Sequence, residues 1–257
     1  MSEQIDITTQ DGILRIAFNR PEKKNAILPE MYRALADAFE RFEKDDRLRV
    51  LLLEGRGDTF TAGNDMASFF APEPDDLESF PTFRLMMSAA RCDKPLVAAV
   101  NGPAVGIGVT LLLHFDFILA ADGATFQTPF VNLGAVPEAG SSQLFPAAIG
   151  WRGAAEFLIA GDRMTATRAE QLGLINRVVS PGALTDQALA VARRIAERPP
   201  EAVRQTKRLM KGDHMPGMEA LMREEIVKFG ERIKSAEMRE AVSAFLQKRK
   251  PDFSKPG

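Results

Sequence analysis

The spacing of hydrophobic positions changes along the chain in a regular way. Ile13 to Asn19 is a short apolar segment between the turn signals Asp11-Gly12 and Arg20-Pro21, and this predicts a strand. A polar loop, Glu22 to Ala26, follows it. Pro29 suits a helix start, and Met31, Leu35, Ala38, Phe39 and Phe42 then give one apolar helical face. Leu48 to Leu53, closed by Glu54-Gly55, reads as a buried strand. The alternation repeats with a helix carrying Leu85, Met86 and Ala89, a strand over Leu96 to Val100 after Pro95, and a glycine-bearing turn from Asn101 to Gly108. A second helix and a strand over Asp116 to Ala121 come next. Such a chain predicts an α/β fold whose strands are covered by helices, with ligand contacts gathered in the connections after strands.

Beyond about residue 180 the strand signal stops, and Val191, Ile195 and Val203, then Met222, Ile226, Phe229 and Ile233, recur at helical spacing. Pro199-Pro200 and Gly212 to Gly217 punctuate this region without forming a Gly/Ser linker. The expected organisation is an α/β core over residues 1–198 and a helical portion over 199–257, packed on the same body or on a neighbouring subunit.

Composition narrows the function more than the fold. Lysine and arginine number 33 against 35 aspartate and glutamate, a net charge of -2, so no broad positive field is available for nucleic acid or an anionic membrane. A hydrophobic fraction of 45% and a charged fraction of 26% exclude a disordered or collagen-like chain. One cysteine, Cys92, forms no intrachain disulfide, and with only His114 and His214 beside it no metal site is expected. The first residues lack the basic start and apolar run of a signal peptide, and apolar stretches such as Val109 to Leu113 are too short to span a bilayer. The end, Ser254 to Gly257, is not a Ser-Lys-Leu peroxisomal address, so a cytoplasmic location is expected.

Three loops carry candidate chemistry. In Thr59 to Asp65, small residues at Ala62 and Gly63 allow close backbone approach to a ligand, or else a tight turn with Asn64 or Asp65 as a helix cap. Asn101 to Thr110 joins a strand to a helix, where free N–H groups suit a phosphate or an oxyanion, or else glycine serves only the close packing of helix on strand. It is neither a Walker A loop nor a dinucleotide fingerprint, since Gly-Lys-Ser/Thr is absent and position 111 is leucine. In Leu133 to Ser142, Glu138 is a lone carboxylate among small apolar residues, either desolvated and basic or a solvated loop residue.

The ordered set of Asn19 to Ala26, Ala62-Gly63-Asn64-Asp65, Asn101 to Gly108, Gly161-Asp162 and Ala169 to Leu174 resembles the enoyl-CoA hydratase/isomerase, or crotonase, superfamily. Within it, Asn101 to Ile107 and Pro137-Glu138-x-x-Ser141-Ser142 resemble the Δ3,Δ2-enoyl-CoA isomerases, especially the peroxisomal type. The resemblance implies a crotonase-like ββα spiral core with a helical C-terminal portion that builds trimers or pairs of trimers. It implies no separate cofactor, because coenzyme A is part of the acyl-CoA thioester substrate. The two glutamates of the hydratases fall on Thr110 and Phe130 here, which argues against an ordinary hydratase. The isomerase glutamate falls on Glu138, and the oxyanion donors on the backbone N–H groups of Asn64 and Ile107, the latter aided by a helix dipole.

By the same resemblance Lys23 or Lys24, Ala62 and Asp65 lie near the coenzyme A, and Phe245 and Lys248, in Ser243 to Lys250, reach the coenzyme A of a neighbouring subunit. For Phe245 and Lys248 the alternative is a core aromatic and a solvated lysine on an amphipathic helix. His114 reads as an interior histidine, and the acidic run Glu73 to Glu78 as a solvated loop near the acyl pocket. Phe69, Phe70, Phe80 and Phe83 line an acyl tunnel or simply pack. The competing functions are another enzyme of the superfamily, hydratase or hydrolase, and a silent acyl-CoA-binding protein.

Overall fold

The computed structural model describes residues 3–68, 76–212 and 215–254. Strands β1 (Ile5–Gln10) and β2 (Ile13–Phe18) form an antiparallel hairpin. Its two turn residues, Asp11 and Gly12, both have positive φ, as a tight hairpin matched to strand twist requires. Strand β1 is not marked by the apolar pattern. It is an edge strand with a mostly exposed, polar sequence, and its pairing comes from the hairpin rather than from burial.

Helix α1 (Pro29–Lys44), strand β3 (Val50–Gly55), helix α2 (Pro81–Arg91) and strand β4 (Leu96–Val100) follow. Next come β5 (Ala104–Val105), α3 (Ile107–Thr110), β6 (Phe117–Ala121), β7 (Thr125–Gln127) and α4 (Ser141–Leu158). The body ends with β8 (Met164–Thr165), α5 (Ala166–Gln171), β9 (Arg177–Val179) and α6 (Leu184–Ala196). The segments β1-β2-α1, β4-β5-α3 and β6-β7-α4 are ββα turns, and the strands fall into two sheets of order β1-β2-β3-β4-β6-β9 and β5-β7-β8.

From β2 onward the larger sheet is parallel and covered on both faces. Alternate residues sort to the two sides: Leu51 and Leu53 join the core shared with α1 and α2, while Val50 and Leu52 meet Leu184, Ala188 and Ala192 of α6. Burial on both faces explains the unbroken apolar run that marks these strands. The expected second helix after the Asn101 to Gly108 turn is shorter than its apolar sequence suggests. It is four residues of α-helix passing into a 3-10 turn, Leu111–His114, before Phe115 returns to extended backbone.

Helices α7 (Pro200–Lys211), α8 (Met215–Ile233) and α9 (Ala236–Leu246) complete the described chain. Helix α7 docks through buried Lys207, whose ammonium donates to Asp116 at 2.7 Å and to the Lys94 carbonyl at 3.0 Å. Helix α8 returns across the body, where Met222, Ile226 and Phe229 join the same core cluster as α1 and α2. No described helix is long and apolar enough to cross a membrane.

Candidate active site

Two glycine-bearing loops are locked together after β3 and β4. Asn25 is fully buried and donates its side-chain amide to the carbonyls of Arg56 and Thr59 at 2.9 and 2.7 Å, while its carbonyl oxygen accepts from the Arg20 N–H at 2.8 Å. The buried Thr61 hydroxyl donates to the Asn25 carbonyl at 2.7 Å and accepts from the Gly63 N–H at 3.0 Å. Across the gap, the Val105 N–H donates to the Thr61 carbonyl at 3.0 Å. So close an approach needs glycine: a Cβ on Gly63 would stand 2.7 Å from the Val105 carbonyl oxygen, and one on Gly108 would stand 2.3 Å from Thr61 Cγ2.

This packing leaves two main-chain donors unspent. Among the described residues neither the Asn64 nor the Ile107 backbone N–H has a hydrogen-bond acceptor. Ile107 opens α3, whose first N–H groups find no partner within the helix. Because α3 is a single turn, few peptide dipoles align behind it, and the expected aid from a helix dipole reduces to the N–H itself. The Asn64 side chain is held from α1, where the Tyr32 hydroxyl donates to its Oδ1. Burial, and then the charge of Glu138, hold the Tyr32 phenol well above its ordinary pKa.

Glu138 sits in the turn before α4. Two consecutive left-handed residues, Ala139 at φ 59° and Gly140 at φ 75°, bring the chain round. Its carboxyl group is inside, at 1% exposure, which excludes the solvated alternative. The Thr110 hydroxyl donates to its Oε1 at 3.2 Å. Burial pushes its pKa up to about 8, with the Thr110 hydrogen bond opposing the shift and the charge of Glu225 adding to it. His114 Nε2–H donates to the Ala139 carbonyl at 2.9 Å, and burial holds the ring neutral with a pKa of about 4. Phe130 is buried and meets the Phe229 ring edge-on at a centroid distance of 6.2 Å, an apolar wall on this side.

A buried carboxyl group with a raised pKa, two free amides and an apolar wall are features that suit proton removal next to a carbonyl. A family model described as Enoyl-CoA hydratase/isomerase matches residues 8–256. The chain belongs to this family. Enoyl-CoA delta isomerase 2 of Homo sapiens is 38% identical over 253 residues, covering 96% of this chain and 64% of the human protein, so the chain spans under two thirds of that relative. The 1,2-epoxyphenylacetyl-CoA isomerase of Escherichia coli K12 is 34% identical with 99% of both chains covered. The crystal structure of an enoyl-CoA hydratase/isomerase from Pseudoalteromonas atlantica is 40% identical, with a TM-score of 0.94 over 98% of this chain and 100% of that one. The hydratase/isomerase family acts on acyl-CoA thioesters, and the fold is crotonase-like.

Lys23 is exposed, Lys24 pairs with Asp58 at 2.7 Å, and Asp65 pairs with Arg20 at 2.6 Å. Ala62 is exposed, and its N–H is taken by the Lys24 carbonyl. Phe245 is not a core aromatic: it is 65% exposed on α9, just before exposed Lys248, while Met238, Ala241, Val242 and Ala244 form the buried face. Phe83 is fully buried beneath the Arg223 guanidinium, and Phe80 is half-buried against the same core, so both pack. Phe69, Phe70, residues 73–75 of the acidic run and His214 lie outside the described residues. The rest of that run is more structured than expected: Asp76 caps a 3-10 turn and Glu78 pairs with Arg223 of α8. No group of described residues could hold a metal ion.

Asn25, Tyr32 and Glu225 escape a reading of the loops alone. Tyr32 had a signal, since a tyrosine on the apolar face of a helix must find a partner for its hydroxyl. Asn25 lies in the Asn19 to Ala26 motif, but its bridging role does not show there because the carbonyls its amide reaches are 31–35 residues away, and Glu225 had no signal, its partners lying 83–85 residues away.

Proposed function

We propose that this chain is a Δ3,Δ2-enoyl-CoA isomerase with Glu138 as its single acid–base group. On this reading the Glu138 carboxylate removes a proton from C2 of a 3-enoyl-CoA. The C–H electron pair moves toward the thioester carbonyl to give a dienolate with its charge on oxygen; as the carbonyl re-forms, the electrons return through C2 and C3 to C4, which takes the proton back from the same carboxyl group. The double bond then lies between C2 and C3, in the conjugated trans-2-enoyl-CoA. One base serves both steps because the two carbons flank one allylic system. The Asn64 and Ile107 N–H groups are the donors proposed for the oxyanion.

The observation that carries the reading is that, among the described residues, the one carboxylate whose charge acts on Glu138 is Glu225, and it is already engaged. Thr110 and Phe130 stand where the hydratases of this family carry theirs, and Thr110 is bonded to Glu138 itself. The nearby Glu225 carboxylate already accepts bonds from Gly140 and Ser142. Addition of water to a double bond needs an organised water as well as a base, whereas moving the bond does not.

Supplied with a 3-enoyl-CoA, the protein is expected to generate the absorbance of the conjugated thioester, and with crotonyl-CoA to leave that absorbance unchanged. Rapid loss of crotonyl-CoA absorbance would instead establish a hydratase, and tight acyl-CoA binding without turnover a silent binding protein. Because Glu138 must be ionised to act and its pKa is about 8, kcat/KM should rise about tenfold per pH unit up to about pH 8 and then level. The same shift makes the fold less stable as pH rises from 4.5 to about 8, since the folded state keeps a proton that the unfolded chain has released. A pH–rate profile and thermal melts across that window check both.

Lys23, Lys24, Ala62 and Asp65 are proposed to face the coenzyme A moiety, with Lys24 and Asp65 already braced by Asp58 and Arg20. Trp151, Ile159, Leu209, Phe245 and Leu246 are large apolar side chains in water on the single chain, which supports a trimer in which neighbouring copies cover them and bring Phe245 and Lys248 to an adjoining site.

A further inference from the structure

Glu225 reaches from α8 to the turn that carries Glu138. Its Oε2 accepts from the Gly140 N–H at 2.6 Å, and its Oε1 accepts from the Ser142 N–H at 3.0 Å and the Ser142 hydroxyl at 2.5 Å. The side chain is buried, at 6% exposure, and 83–85 residues separate it from these partners. The two amides open α4, where the first N–H groups have no partner inside the helix and a negative charge is favoured. On the opposite side of the turn, His114 fixes the Ala139 carbonyl. Between these holds stands Ala139 at φ 59°, a conformation that alanine keeps only where its surroundings impose it.

We propose that Glu225 is a positioning residue that clamps the Glu138 turn in its reactive geometry and makes that geometry depend on the docking of α8. The proposal rests on Glu138 as the base. The groups that face Glu138 are Tyr32 from α1, the non-titrating Thr110 from α3, and Glu225 from α8, with neutral His114 one residue away. Tyr32 and His114 are uncharged near neutral pH, so Glu225 is the neighbouring charge that a substitution can remove.

Glu225→Gln keeps the side-chain shape, removes the charge and turns an amide N–H toward the Gly140 or Ser142 donors. In this variant kcat should fall about tenfold while KM changes less than about threefold, because a displaced base costs rate more than binding. The acid limb of the pH profile should move to lower pH by about one unit, since a like charge has gone. Ser142→Ala, which deletes one bond and keeps the charge, should lower kcat about threefold without moving the limb. Glu224→Gln, an exposed neighbour on the same helix, should change neither.

A folded Glu225→Gln protein with wild-type kcat and an unmoved limb would overturn the proposal. Should that variant not fold, a wild-type kcat in Ser142→Ala would do so. Nuclear magnetic resonance of isotope-labelled carboxyl groups, with the Glu138 signal assigned by its loss in Glu138→Gln, follows the same titration without turnover. A downward move in Glu225→Gln then supports the clamp even where Glu138→Gln remains active and the base lies elsewhere, and a fixed titration sinks it.

Discussion

Glu138→Gln is expected to lower the rate of the proposed 3-enoyl-CoA isomerisation by roughly 10³-fold and to leave acyl-CoA affinity within about threefold of wild type. The substitution is nearly isosteric, so the buried site keeps its volume, and the amide oxygen can still accept from Thr110. What disappears is the capacity to take a proton from C2 and return it to C4. Stability should hold or rise, because burial already favours the uncharged form of this side chain and glutamine is uncharged at every pH. The check is single-turnover kinetics beside equilibrium binding of a saturated acyl-CoA. Isomerisation within a few-fold of wild type would move the base elsewhere.

Gly63→Ala should be damaging out of proportion to the single methyl group it adds. Two costs coincide at this position. The backbone has φ 81°, where an alanine side chain costs about 1–2 kcal/mol. The new Cβ would also stand 2.7 Å from the Val105 carbonyl oxygen, a main-chain atom that moves only if its loop moves. Together these should destabilise the fold by about 2–4 kcal/mol. Any relief separates the two loops that present the Asn64 and Ile107 amides, so kcat should fall by roughly 10²-fold. Gly123→Ala is the control, since a Cβ there meets nothing within 4 Å and φ is not positive. Chemical denaturation and steady-state kinetics on both variants distinguish a local wedge from a general intolerance of alanine.

How much could be read in advance depended on how local the cause was. Helix α1 was legible because one face, Met31, Leu35, Ala38, Phe39 and Phe42, is buried along a single regular element. Strands β3 and β4 were legible because both faces are covered and Val50 to Leu53 and Leu96 to Val100 are apolar at every position. Strand β1 was not, since its polar residues pair through a hairpin without being buried. The small sheet of β5, β7 and β8 has strands of two or three residues, too short for any periodicity. Within α4, Gly150 leaves helical geometry at φ 74°, which no apolar pattern announces.

At the candidate site the motifs located Glu138 and the two loops but left the environment of the carboxyl undecided. Its burial is made by distant parts of the chain: Thr110 from one turn, Tyr32 from α1, and α8 from nearly ninety residues downstream. Local composition around Glu138 is the same whether or not those elements close over it. The sequence therefore permitted both a desolvated base and a solvated loop residue, and only tertiary packing separates them.

The span from Gly140 to Glu225 also bears on how the molecule comes into being. A chain emerging from the ribosome exposes its N-terminal part first, so β1 to α6 can collapse while α8 is still being made. At that stage the start of α4 lacks its carboxylate and the Glu138 turn is held from one side only. Contacts of such long sequence separation also form late and slowly. A nascent body therefore holds Glu138 and both glycine loops before the turn around that carboxyl group is secured. Activity should switch on once the stretch carrying α8 has been made rather than grow in proportion to the length of chain already folded.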